Sequence, residues 1–510
     1  MTSWASGYMT DIAYTSAFFR ELSPSFLRFA ALAGAGVAGP DPERKLTYCE
    51  LGCGQGFSAN VVAAANPHIE VHAMDFIPGH IAGARALALE AGLSNVHFYE
   101  ESFEDFLHRA DLPAFDIIVL HGVFSWVSPE HRAQTIEILR GKLATGGLVY
   151  VSYNAMPGAG ALVPLRRILF DHVERGPGPL LARIERALEF AEGVRQAGAA
   201  VFAANPALGA KLDMIKSQSR AYVAHEYLNR EWHCLYHSDV VDELAEVKLD
   251  YVGSANLAAR LDSMKLSPEQ MALLSSIEDS RLRETVRDSI LNTEFRKDIF
   301  MRGVTPLPAL MRTDLSLDTR FILAVPRQKV LKGVTTNLGA INFDQRVYEP
   351  MADALAQGPC TLRELLRRPQ LRGIDANDVR QAAYALLTFG QIEPCLSAAR
   401  DAQRAKSTKA FNTAVMKRAA YSGDLMGLAS PVTGGGVPMD RFSQLLLSAW
   451  QRKEPDIAAA VWAVLKPEGV LPSKEGRRLE TDAEVLAEFA QQTEQFVLKT
   501  IPVLQLLGVA

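Results

Sequence analysis

Tyr48-Cys-Glu50-Leu-Gly52-Cys-Gly54-Gln-Gly56-Phe57 is the stretch whose reading decides the fold. It follows a short apolar run at residues 46–51 and leads into the apolar, helix-forming residues 57–65. Glycines at a strand-to-helix turn let the backbone approach a ligand closely, which is the context that a nucleotide-binding loop requires. Glu50 adds the chemistry. A nicotinamide-binding loop usually keeps that strand end apolar, whereas an acid just before the first glycine suits the ammonium group of a ligand built on an amino acid. The loop therefore reads as a site for S-adenosyl-L-methionine rather than NAD, with Glu50, Gly52, Gly54 and Gly56 as cofactor-binding residues.

Outward from the loop, short apolar runs at residues 46–51, 71–75, 96–99, 115–120 and 147–153 alternate with helical stretches at 57–65, 78–91 and 130–143. That alternation predicts a parallel sheet covered by helices, a doubly wound Rossmann-like α/β fold. Asp75 ends the second run, where a carboxylate can accept both hydroxyls of a ribose, with Phe76 beside it. Ser102 and Phe103 follow the third run, where adenine contacts are expected. The fourth run ends in His121-Gly-Val-Phe124-Ser-Trp126-Val and the fifth in Tyr153-Asn154. Ligands of open α/β sheets lie beyond strand C-termini, so these side chains are placed toward the methyl group. Aromatic faces stabilise a sulfonium and strip water from an incoming amine. His121 is therefore added to the cofactor set, and Phe124, Trp126, Tyr153 and Asn154 are the candidates for shaping the acceptor channel.

The chain has 510 residues, 48% apolar and 22% charged, which predicts a helix-rich globular protein of about three or four domains. With 53 basic and 58 acidic residues the formal charge is -5, so the balance offers no general attraction to nucleic acid or an anionic membrane. No cationic start with an apolar core opens the sequence at residues 1–11, and nowhere do about 18 apolar residues run together, so a cytoplasmic protein without membrane insertion is expected. The five cysteines are scattered, without a C-x-x-C pair, and suggest neither a disulfide framework nor a metal site.

Breakers and periodicity divide the chain into a cofactor-binding domain at 1–155, a helical insertion at 156–224, a middle domain at 225–310 and a C-terminal region at 311–510. Residues 14–33 read as amphipathic helix, and Ser238 reads as the N-cap of an apolar stripe at Val240, Val241, Leu244 and Val247. Helices at 347–356, 361–368 and 377–389, the middle one opened by the capping box Thr361-Leu-Arg-Glu364, suggest a winged-helix-like unit.

Glu50–Phe57, His121–Val127 and the string Ser152-Tyr-Asn-Ala-Met-Pro-Gly158 together resemble class I methyltransferases that carry a methyltransferase regulatory domain. The best-known relatives are rickettsial protein lysine methyltransferases that modify outer-membrane proteins. The likeness extends through Tyr222-Val-Ala-His225-Glu-Tyr227-Leu and Leu428-Ala-Ser-Pro-Val-Thr-Gly434. It implies an N-methyltransferase acting on accessible lysines of a protein substrate, a surface or outer-membrane protein among the candidates. It also implies a homodimer formed through the helical insertion and later domains that help bind the substrate. Lysine would have to shed the proton it ordinarily holds up to pH ~10.4, after which alignment alone can supply ~7 to 11 kcal/mol. Methylation of a small molecule or cell-surface sugar, and a cofactor-binding regulatory protein without transfer activity, are the alternatives. Nucleic-acid methylation has Arg363, Arg367, Arg368, Arg372 and Arg380 in its favour, but no Asn-Pro-Pro-Tyr type motif replaces residues 121–124.

Overall fold

The computed structural model describes residues 17–469, 472–474 and 477–510. The N-terminal start at 1–11 and the first part of the helix expected over 14–33 lie outside the described residues. Within them, a 3-10 turn at Arg20–Leu22 leads into α1 (Pro24–Gly34). From there the chain alternates as its apolar runs predict: β1 (Thr47–Leu51), α2 (Phe57–Ala65), β2 (Glu70–Asp75), α3 (Pro78–Glu90), β3 (Val96–Glu100), α4 (Phe103–His108), β4 (Phe115–Leu120), α5 (Pro129–Lys142) and β5 (Leu143–Asn154). β6 (Leu249–Ser254) and β7 (Phe295–Arg302) complete a seven-stranded sheet in the order β3-β2-β1-β4-β5-β7-β6. β1 to β5 are parallel, and β7 runs antiparallel to both of its neighbours.

Alternate side chains of a strand face opposite sides, and the two cores show it. Tyr48, Ile117, Val119, Leu148 and Tyr150 belong to the core built with α1, α2 and α3. Cys49, Ile118, Leu120, Val149, Val151 and Tyr153 belong to the core built with α4, α5 and the helix His237–Ala245. That last helix begins before Ser238: its N-cap position is Tyr236, which makes no side-chain cap bond, and Ser238 lies inside it.

The segment 225–310, expected as a separate middle domain, supplies the last two strands of the sheet. β7 carries a buried charge network. Arg296 Nε donates to Asp298 Oδ2 at 2.8 Å, and its other nitrogens reach Asp288 at 2.8 Å and Glu284 at 3.0 Å. Burial pushes the Asp298 carboxyl up, but Arg296 and His237 outweigh it and hold the group well below the usual carboxylate range.

The helices Val163–Arg175, Leu180–Gln196, Ala207–Ser217 and Arg220–Tyr227 pack into a core of their own, with Leu165, Leu169, Ile184, Leu188, Leu212 and Val223 inside. In the C-terminal region, helices Gln345–Leu355, Leu362–Leu366 and Ala376–Thr388 surround a small antiparallel sheet of Arg320–Leu323, Cys360–Thr361 and Ile392–Pro394. The Thr361/Glu364 capping box is formed. Of the arginines there, Arg363 is paired with Asp314 at 2.9 Å and Asp318 at 2.6 Å, and Arg380 donates to Asn377.

The rest of the C-terminal region returns to the sheet. The helix Asp401–Ala419 and the hairpin Gly427–Ser430/Gly435–Pro438 pack on α2, every residue of which is buried. The rings of Phe57 and Phe411 lie 6.1 Å apart, Asn66 Nδ2 donates to the Gly434 carbonyl at 2.8 Å, and Ser25 Oγ donates to the Thr433 carbonyl at 2.7 Å. Among the described residues no helix is long and apolar enough to cross a membrane.

Candidate active site

The glycine loop joins β1 to α2 at the C-terminal edge of the sheet. Cys53 N–H donates to the Met74 carbonyl, and Gly54 N–H donates to Asp75 Oδ2, both at 2.9 Å. The other oxygen of Asp75 accepts from Ile77 N–H at 2.9 Å and stands 3.3 Å from His80 Nδ1. The carboxylate is thereby fixed between the first two strand ends. Gly54 has φ +53°, and a Cβ there would meet nothing within 4 Å. Gly56 has φ +65°, and a Cβ there would stand 2.6 Å from Ala84 Cβ and 2.7 Å from Phe98 Cε1. One glycine keeps space open above the loop; the other lets α2 sit close to α3 and β3.

Above the loop lies a cavity of about 230 Å3. A water needs roughly 10–15 Å3 of such space, so the cavity takes a ligand of many atoms. Glu50, Gly52, Gly54, Asp75 and Phe76 line one part of it, and Ser102, Phe103, His121 and Trp126 line another. Glu50 is 5% exposed, and its Oε2 has no hydrogen-bond partner among the described residues. Burial, with the nearby charge of Asp75 adding to it, pushes its carboxyl up to about 8. A buried acid with an unanswered oxygen in a cavity wall suits the cationic group of a ligand. Ser102 caps α4 through a capping box with Asp105, its hydroxyl 2.7 Å from Asp105 Oδ2.

His121 is stacked on Phe19 with ring centroids 3.8 Å apart, and its Nδ1 is 2.9 Å from the Tyr150 hydroxyl. Burial, helped by the charge of Lys297, lowers His121 to about 4, so the imidazole is neutral at physiological pH. Trp126 lies near Trp232, with centroids 6.4 Å apart. Glu231 also lines the cavity and is held by His233 Nε2 at 2.9 Å.

Four residues singled out from the sequence lie outside this lining: Gly56, Phe124, Tyr153 and Asn154. Phe124 is wholly buried in the α4/α5 core. Tyr153 faces the same core, and its hydroxyl donates to Asp298 Oδ2 at 2.6 Å, close to His237. Asn154 is half-buried; its N–H donates to Ser125 Oγ at 2.8 Å and its carbonyl accepts from Leu235 N–H at 2.9 Å. Conversely, Phe19, Leu22 and Glu231 line the cavity without having drawn notice in the sequence. The last stands among the dense aromatics and histidines of residues 222–251, the one visible signal of that contribution.

Residues 42–169 match the model of a methyltransferase domain, and residues 219–302 match that of a predicted methyltransferase regulatory domain. The uncharacterized protein sll1526 of Synechocystis is 40% identical over 508 residues, which span 100% of both chains. The uncharacterized protein RP789 of Rickettsia prowazekii is 24% identical over 60% of this chain and 55% of its own. The structure of PKMT2 from Rickettsia typhi in complex with AdoHcy superposes with a TM-score of 0.73 at 19% identity, covering 97% of this chain and 100% of that one. Its fold is shared along the whole length. The open space above Gly54 and the unanswered Glu50 oxygen in the cavity wall fit S-adenosylmethionine, which is the cofactor of this protein. The chain belongs to the class I S-adenosylmethionine-dependent methyltransferases that join a methyltransferase domain to a methyltransferase regulatory domain.

Proposed function

We propose that this methyltransferase modifies the side-chain nitrogen of lysines on a protein substrate. The observation that carries the reading is the cavity wall of Phe19, His121 and Trp126, which is aromatic and holds its histidine neutral. An ammonium entering such surroundings loses hydration, and desolvation favours the uncharged amine, the form whose nitrogen can attack. The sequence resemblance to rickettsial protein lysine methyltransferases and the whole-chain likeness to PKMT2 support the acceptor class.

When bound, the cofactor supplies the electrophilic methyl group. Glu50 would accept from its ammonium, Asp75 would hold the ribose hydroxyls, and Ser102 and Phe103 would flank the adenine. Trp126 shapes the approach of the acceptor and excludes water. Asn154 is a positioning residue. Asn154 and Ser125 tie the end of β5 to the turn that carries Trp126, and the Ser125 carbonyl accepts from His233 N–H at 2.8 Å beside Glu231.

The test is transfer of labelled methyl groups to lysine-rich protein extracts, with the labelled atom identified by mass spectrometry. Label on lysine nitrogen is expected. Trp126→Ala should lower kcat/KM on the order of 10- to 100-fold while the cofactor Kd, measured by calorimetry, barely moves. Label confined to small molecules or sugars, or full cofactor binding without any label, overturns the acceptor assignment.

A further inference from the structure

At the opposite end of β2 and β3 from the cofactor, three side chains converge that the methyl-transfer site does not use. Glu70 and His72 stand two residues apart on β2 and so share a face. His97 on β3 is the register partner of His72, and the two rings lie 4.9 Å apart. Glu70 Oε1 is 3.7 Å from His72 Nε2 and 3.3 Å from His97 Nε2. One ligand atom from each of the three fits within 4.8 Å of the others. Two atoms held about 2.1 Å from a tetrahedral ion lie roughly 3.4 Å apart, close to the 3.7 and 3.3 Å of the two Glu70–histidine pairs.

The state of His72 makes the cluster more than a surface ion pair. Its side chain is 6% exposed, and its Nδ1 is 2.8 Å from the Tyr99 hydroxyl, while Nε2 has no hydrogen-bond partner among the described residues. A buried ring nitrogen left without a partner is costly. A metal-ligating histidine usually has its second nitrogen held by an oxygen, and the Tyr99 hydroxyl stands in that place. Arg109, whose guanidinium lies 4.6 Å over the Tyr99 ring, is paired with Glu101 and Asp111.

We propose that Glu70, His72 and His97 bind one divalent transition-metal ion, Zn2+ foremost, with solvent completing the sphere on the exposed His97 side. The ion clasps β2 to β3, the strands whose far ends carry Asp75 and lead to Ser102. Cysteine spacing gives no hint of such a site, because strand register brings its ligands together.

The full-length protein, stripped with a chelator, is titrated with Zn2+ by calorimetry and with Co2+ by visible absorption. One equivalent per chain, intense tetrahedral Co2+ bands and a Tm raised by Zn2+ are expected. Glu70→Gln and His97→Gln change partly exposed side chains, and each should weaken binding by roughly tenfold or more. Cofactor binding, measured on the same samples, should persist and so show that the variants are folded. Absence of binding, or unchanged affinity and stoichiometry in both folded variants, overturns the site.

Discussion

Glu50 couples cofactor binding to a proton. Free, its carboxyl titrates at about 8, because burial and the charge of Asp75 disfavour the anion. At pH 7 it is mostly protonated, yet it must be a carboxylate to face an ammonium. Seating the cofactor therefore expels a proton, and affinity climbs as pH rises toward 8. The same shift acts on the ligand-free fold with a definite sign. Glu50 contributes stability that is complete below its unfolded pKa of ~4.3 and is lost as pH rises through about 8. Calorimetry at pH 7 in buffers of different ionisation enthalpy should show net proton release on binding to the wild type and none for Glu50→Gln. Identical proton counts in the two proteins would remove Glu50 from the ammonium site.

At the scale of elements, the glycine loop separates two jobs that look alike in sequence. Gly54→Ala adds a methyl group to open space at the price of a left-handed residue, about 1–2 kcal/mol. It should lower Tm slightly and weaken cofactor binding by about tenfold or more, since the backbone can no longer be approached closely. Gly56→Ala adds a collision with Ala84 and Phe98, about 1–3 kcal/mol more, and should show chiefly as a fall in Tm. Equal effects of the two changes on binding and on melting would refute the division.

The same contrast explains what could be read beforehand. β1, β2, β4 and β5 stand out because strands covered on both faces read as near-continuous apolar runs between breakers. β7 was hidden because Phe-Arg-Lys-Asp-Ile-Phe-Met-Arg looks like an exposed segment, and its Arg296 and Asp298 are tolerated inside only because they pair. Period-two alternation separates Tyr150 and Ser152 from Tyr153. Tyr150 meets His121 and Ser152 Oγ accepts from Gly122 N–H at 2.8 Å, while Tyr153 turns to the other core. Phe19 and Glu231 were illegible for another reason: long-range packing, which leaves no local pattern, carries them to the cavity.

Across the whole molecule, the C-terminal region braces the cofactor-binding helix. Phe411 is wholly buried against the α2 layer, so Phe411→Ala should cost about 3–5 kcal/mol. Because α2 begins at the glycine loop, cofactor affinity should fall along with Tm. A lowered Tm with unchanged affinity in calorimetry would show that the brace holds the fold without steadying the loop. The sheet sets a different constraint, one of timing. β5 pairs with β7 from Leu148↔Met301 to Asn154↔Phe295, so its free edge is covered only by residues made after the whole helical insertion. On a growing chain that edge stays bare while the ribosome adds the insertion, and a bare central strand invites pairing with other chains. The compact insertion, with its own core, keeps the two ends of that delay close together and lowers the entropy of closing the gap.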